Sequence, residues 1–345
     1  MKAYRMTRWQ SMPEFADVEI RAPGPGEVLV KVGGSGACHS DLHIADYPAG
    51  ALAFTLPFTI GHENAGWVER IGPGVEGVAP GDAVAVYGVW GCGRCAACRV
   101  GAENYCERTA PLVGGGGLGF DGGMATHMLV PSARFLCPLD GVDPRNAAPL
   151  TDAGLTTYHA VKRSLAVLRP GSTAVVIGAG GLGQMAVQVL KALSPARVVA
   201  LDVSEEKLAS AKALGADEVI ASNGDAVAHV HELTRGLGAE LVLDIVGSDA
   251  TLAQALGMSR RQGHLTVVGI AGGTLPFNYL AVPNELCVAS TFYGTIPELS
   301  EVITLAQAGK LEARVELFPL AEAPVAYQRL REGRIHGRAV ITPNG

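Results

Sequence analysis

This 345-residue chain predicts an α/β protein of two domains, a β-rich one first and a doubly wound parallel sheet after it. Three observations point there. The first 150 residues break into short extended segments split by Gly and Pro. From about Thr151 the pattern changes to strands alternating with helices, which is how parallel strands joined by crossover helices read. The first strand of that second stretch runs straight into a glycine-rich turn that opens a helix. The length is too great for one small core, so two are expected.

In the first part, Glu27–Val32, Gly66–Ile71 and Asp82–Tyr87 are the clearest extended runs. The second part offers six strands: Thr173–Ile177, Arg197–Leu201, Asp217–Ile220, Glu240–Ile245, His264–Val268 and Ala289–Tyr293. Helical periodicity falls at Leu182–Leu193, at Glu205–Leu214 ended by Gly215, at Ala226–Thr234 and at Ala250–Arg260. Past Tyr293 come a helix started by Pro297 and ended before Gly309, a helical stretch around Val325–Arg331 and a last strand, Arg338–Thr342. These closing residues are expected to return to the first domain, so the division reads 1–150, 151–294 and 295–345, with the middle part inserted. No repeat or low-complexity tract appears.

Composition narrows the function classes. Lys+Arg 27 against Asp+Glu 33 leaves a net charge of −6 with neither sign in a long run, which disfavours a nucleic-acid partner. Gln184, Gln188 and several glycines interrupt the longest apolar stretch, so no membrane span is expected. The N-terminus has basic residues but no apolar segment behind them, and a cytoplasmic protein is the expectation. Of seven cysteines, Cys92, Cys95, Cys98 and Cys106 crowd into one short excursion; in so long a chain that reads as metal binding rather than a disulfide framework.

Gly178-Ala179-Gly180-Gly181-Leu182-Gly183 matches G-x-G-x-x-G between a strand and a helix. Its glycines serve a tight turn, close backbone approach to a pyrophosphate and close helix packing. Asp202, nineteen residues beyond Gly183, is placed to accept hydrogen bonds from ribose hydroxyls and to repel a 2′-phosphate, so NAD is preferred to NADP; a helix-capping Asp is the alternative. Cys92-x2-Cys95-x2-Cys98-x7-Cys106 suits a closed tetrahedral zinc site, with an iron–sulfur cluster as the rival; the x7 gap and the lack of a following Pro depart from ferredoxin spacing. Cys38 and His62 in the β-rich part and Asp152 at the junction supply a thiolate, an imidazole and a carboxylate, a set that suits a three-ligand zinc with an open fourth position. Singly, each also reads as an ordinary core residue.

Taken in order, Cys38 with Ser40 and His43, Gly61-His62-Glu63-x-x-Gly66, the four-cysteine excursion, the glycine loop and Asp202 resemble the zinc-dependent alcohol dehydrogenases of the medium-chain dehydrogenase family over essentially the whole chain. The resemblance implies a GroES-like catalytic domain and an inserted Rossmann domain. It implies hydride transfer between an alcohol carbon and the nicotinamide of NAD in the interdomain cleft, with one catalytic and one structural zinc per subunit. By the same resemblance Cys38, His62 and Asp152 would hold the catalytic zinc, with Glu63 beside them as a neighbour or alternating ligand. Many members carry Cys where Asp152 stands. Ser40 would take the alcohol proton from an alkoxide-forming substrate held on zinc, and His43 would pass it to solvent. His39, Thr156, Lys207, Val268 and Arg338 fall where cofactor contacts are expected, although each is also credible as an ordinary polar or strand-end residue. The substrate is a small alcohol or ketone, with medium-chain secondary alcohols preferred and polyols as the alternative. Phe54, Trp90, Leu118, Phe120 and Tyr293 are candidates for an apolar wall. The apolar last strand of the sheet, together with the resemblance, implies a homodimer or homotetramer. A member that had kept the fold and lost the chemistry would be expected to lack several of these residues.

Overall fold

Two compact units make up the chain, one formed by Met1–Leu155 with Tyr293–Gly345 and the other by Thr156–Phe292. The computed structural model describes residues 1–109 and 113–345.

The first unit is organised around the ten-residue strand Val28–Ala37, which is buried everywhere except Lys31. It pairs antiparallel with Glu63–Ile71, with Arg338–Thr342 and with His127–Val130. The closing strand Arg338–Thr342 in turn pairs parallel with Val315–Pro319, and Ala83–Val86 and Leu136–Pro138 extend the other side to a seven-stranded sheet. Both faces of the central strand are covered, so its second half is built of small residues. A Cβ on Gly34 would lie 3.0 Å from the Arg145 backbone, and one on Gly36 would lie 1.9 Å from the Glu63 carboxylate. Register then does the positioning: Gly36 is opposite both Glu63 and Val340, which brings the end of the strand, and Cys38 beyond it, between His62–Glu63 and Arg338.

In the second unit all six strands are parallel, in the order Glu218–Ala221, Arg197–Asp202, Thr173–Ile177, Ala239–Asp244, Ser259–Val267, Cys287–Ser290. The order reverses on either side of Thr173–Ile177, the arrangement in which ligands bind beyond the carboxyl end of the central strand. Apolar residues line both sides of the sheet: Val175, Ile177, Val199, Leu201, Val242 and Leu265 on one face and Val176, Val198, Leu241 and Leu243 on the other are all buried, as a parallel sheet covered on both faces requires.

Two element ends differ from expectation. The helix after Ser248 stops at Met258, because Ser259 turns to extended backbone and pairs opposite Ala239; Arg260 therefore lies in a strand. The last strand is Cys287–Ser290 rather than Ala289–Tyr293. Tyr293 has φ +50, a left-handed conformation that no strand admits. Among the described residues no helix is long and apolar enough to cross a membrane.

Two candidate metal centres and a cofactor loop

Cys38 caps the helix His39–Asp46 at the end of the central strand. His62 immediately precedes and Glu63 begins the neighbouring strand, after Gly61, whose φ of +94 turns the chain into it. Asp152 lies between the short turn Ala148–Thr151 and the helix Ala153–Lys162; the Asn64 N–H donates to Thr151 Oγ1 at 3.1 Å, tying that turn to the His62–Glu63 strand. The result is a convergence of four buried groups. Ligand atoms of Cys38, His62, Glu63 and Asp152 all lie within 4.8 Å of one another. His62 Nε2 is 3.4 Å and Cys38 Sγ 4.0 Å from Asp152 Oδ2. Such a soft, borderline and hard donor set around one point fits a zinc ion.

Asp41 was not a sequence candidate, and it orients the site. Its Oδ1 is 2.9 Å from His62 Nδ1, and its Oδ2 accepts the Cys38 backbone N–H at 3.0 Å. With Nδ1–H given to a carboxylate, His62 presents the Nε2 lone pair to the cluster. A Cys at a helix N-cap with Asp three residues on is the signal that would have found it. Arg338, expected as a cofactor contact, is 4% exposed and ion-paired with Glu63, which is 0% exposed. Burial works against the Arg338 charge, but Glu63, Cys38 and Asp152 together more than offset it and hold Arg338 as a cation. Burial alone would also raise the Cys38 thiol; the Arg338 charge and the His62 contact outweigh it and bring the thiol below its ordinary value, toward the thiolate a metal requires.

Ser40 Oγ is 3.0 Å from Cys38 Sγ and 3.3 Å from His62 Nε2, so the hydroxyl sits on the rim of the cluster. His43 follows one helical turn later and is half-buried, and His39 is exposed at the start of the same helix. Tyr293 packs its ring 6.4 Å from that of His62, edge to face. The other expected wall residues are placed differently. Trp90 and Phe120 lie 5.7 Å apart on a cavity of about 650 Å³ that also takes in Met1, His127 and Arg134, Leu118 is core, and Phe54 packs on Phe58.

The second centre is the Cys92–Cys106 excursion, whose four sulfurs also lie within 4.8 Å of one another and form no disulfide. Cys92 Sγ and Cys98 Sγ are 4.0 Å apart. A tetrahedral Zn–S bond of about 2.3 Å gives sulfur separations of about 3.8 Å, so the spacing encloses a single ion and leaves no room for a multi-iron cluster. Backbone N–H groups of Cys92 and Cys98 donate to the sulfurs of Cys106 and Cys95 at 3.3 and 3.5 Å. Glu103, fully buried beside this group, is ion-paired with Arg134, which also donates to the Gly91 carbonyl at 2.8 Å. Replacing Arg134 by Met is expected to leave that carboxylate unpaired and cost about 2 kcal/mol, less than a fully buried pair because Arg134 is itself partly exposed. Urea unfolding of the two proteins measures it.

In the second unit, the helix Gly181–Leu193 opens directly after Gly178–Gly180. A Cβ on Gly183 would stand 1.8 Å from the Gly178 carbonyl oxygen, whereas one on Gly180 would meet nothing within 4 Å. The first glycine is needed for packing; the second leaves backbone open to a ligand, and the pair fits a dinucleotide pyrophosphate at a helix N-terminus. Asp202 Oδ2 accepts the Ala179 N–H at 2.8 Å and Oδ1 the Ser204 N–H at 2.9 Å, so this carboxylate holds the loop as well as facing it. Thr156 is buried in the helix after Asp152, Lys207 is half-buried in the helix after Ser204, and Val268 follows the fifth strand.

Family models agree with both units. Residues 24–141 match the alcohol dehydrogenase GroES-like domain, and 181–308 match the zinc-binding dehydrogenase domain. The chain belongs to the zinc-binding dehydrogenase family. This dehydrogenase is 38% identical to an NAD-dependent alcohol dehydrogenase of Sulfurisphaera tokodaii, over 99% of its own length and 100% of the relative's. A D-arabinose 1-dehydrogenase (NADP(+)) of Saccharolobus solfataricus is 35% identical over 99% and 97%. Among solved structures, the alcohol dehydrogenase of Aeropyrum pernix superposes with a TM-score of 0.92 at 38% identity, covering 99% of this chain and 100% of that one.

Proposed function

We propose that this dehydrogenase oxidises medium-chain secondary alcohols to ketones with NAD, and runs the reverse reduction, using one catalytic and one structural zinc. The convergence of Cys38 Sγ, His62 Nε2 and Asp152 Oδ2 on one point carries the reading. Zinc held there would act as a Lewis acid on the substrate oxygen, and NAD held by the glycine loop would accept the hydride. The protein's own residues supply the rest. Asp41 keeps His62 in one tautomer and one orientation. Ser40 takes the proton of the substrate hydroxyl; His43 lies three residues on, on the same helix face, to carry it toward solvent. Asp202 disfavours a 2′-phosphate and so selects NAD.

Ser40→Ala is expected to lower kcat about 100-fold with primary and secondary alcohols alike while zinc content stays the same. Full activity in that variant would remove the relay. The overall test is a zinc count per chain together with NADH formation on a panel of primary alcohols, secondary alcohols and polyols. A second reading, a polyol or sugar dehydrogenase, is favoured by the D-arabinose relative; faster turnover of polyols than of secondary alcohols would establish it. Cys287–Ser290 forms one edge of the parallel sheet, and pairing of two such edges would give the homodimer or homotetramer.

A further inference from the structure

The Asp41 carboxylate has a third donor, from a part of the chain far from the metal ligands. Tyr327, on the helix Ala323–Arg331, is 1% exposed and donates its hydroxyl to Asp41 Oδ2 at 2.6 Å, the shortest contact that carboxylate makes. The ring is fixed on its other side by Tyr4, 6.0 Å away in a stacked arrangement, and the hydroxyl also approaches Met124 Sδ at 3.4 Å. The chain Tyr327–Asp41–His62 is thus buried throughout.

We propose that Tyr327 is a positioning residue for the catalytic metal, acting through Asp41 on His62. This rests on the reading of His62 as a zinc ligand. A carboxylate 3% exposed depends on its donors for nearly all of its solvation, and the geometry of those donors fixes its rotation. Three donors hold Asp41: His62 on Oδ1, and Cys38 N–H with Tyr327 on Oδ2. Loss of the phenol leaves Oδ2 on the longer Cys38 contact alone. The carboxylate is then free to rotate, and Oδ1 no longer pins the imidazole at the angle that presents Nε2 to the cluster. Partners one shell beyond metal ligands are worth about 10–100-fold in metal affinity, and Tyr327 stands one bond further out, so an effect of about 3–10-fold is expected.

The experiment is chelator-driven zinc release from the full-length protein, followed with a colorimetric zinc indicator, for wild type, Tyr327→Phe and Asp41→Asn. The four-cysteine centre provides an internal reference in every sample. Phe removes only the hydroxyl and leaves the ring packed on Tyr4. In Tyr327→Phe the catalytic zinc is expected to leave about 3–10-fold faster and the four-cysteine zinc at the wild-type rate, with Asp41→Asn showing a larger change of the same kind. The optical spectrum of the cobalt-substituted catalytic site should shift in the same order. Unchanged catalytic release in Tyr327→Phe, or both zinc ions leaving faster in parallel with a lower Tm, overturns the proposal. Wild type that releases only the four-cysteine zinc would instead defeat the assignment of His62 as a ligand, a separate result.

Discussion

Cys38→Ala is expected to lower kcat/KM for alcohol oxidation about 10⁴-fold, since a Lewis-acid contribution of about 5.5 kcal/mol is lost at about 1.4 kcal/mol per factor of ten. Zinc should fall from two ions per chain to one, because the donors of the two clusters are separate residues. NADH binding should persist, the glycine loop belonging to the other unit. Those three readings together distinguish a lost metal from a lost fold. Retention of more than a few per cent of activity with one zinc per chain would mean that the chemistry does not depend on this cluster.

Sequence patterns reported most reliably where a requirement is local. The glycine loop was legible because a turn, a ligand approach and a helix contact each demand Gly at a fixed offset; the structure shows the crowding that imposes it at Gly183, while at Gly180 the protein itself leaves open space and only a ligand would demand it. The cysteine excursion was legible because four ligands within one loop fix their own spacing. Cys38, His62 and Asp152 are spread over more than a hundred residues, so their candidacy leaned on chain order; the register of Gly36 against Glu63 and Val340, which brings two of the three elements together, is not written in any short segment. Asp41 was overlooked because an acid in the first turn of a helix has a sufficient local reason to be there. Tyr327 reads as one apolar position on an amphipathic helix, and only the fold, bringing together two residues 286 apart in the chain, gives its hydroxyl an acceptor. Arg338 has a partner that no short segment announces. The resemblance implies a cofactor contact for it, and the structure adds an ion pair with the buried Glu63, 275 residues away in the chain. The shifted end of the sheet has a comparable cause: strand-forming β-branched and aromatic residues run on to Tyr293, but the extended backbone conformation does not.

Gly183→Ala and Gly180→Ala are expected to part folding from binding. In the first, a methyl would meet the Gly178 carbonyl oxygen at 1.8 Å and its carbon at 2.8 Å, both backbone atoms of the same loop. Neither can yield without moving the helix Gly181–Leu193 off the strand that precedes it. Overpacking of this kind costs about 3 kcal/mol, which in a unit of this size lowers Tm by about 10 °C, and NADH affinity should fall at least about 100-fold because the helix N-terminus is displaced. Gly180 has φ −72, which alanine adopts without strain, and the added methyl would touch nothing. Its Tm should therefore match wild type within about a degree. The methyl would nonetheless occupy the space left for the pyrophosphate, and displacing a phosphate contact there should weaken NADH about 10–100-fold. Thermal scans with NADH fluorescence titrations on both variants read this directly. Wild-type NADH affinity in Gly180→Ala would place the pyrophosphate elsewhere, whatever the outcome for Gly183→Ala, because only the Gly180 variant leaves the protein's own packing untouched.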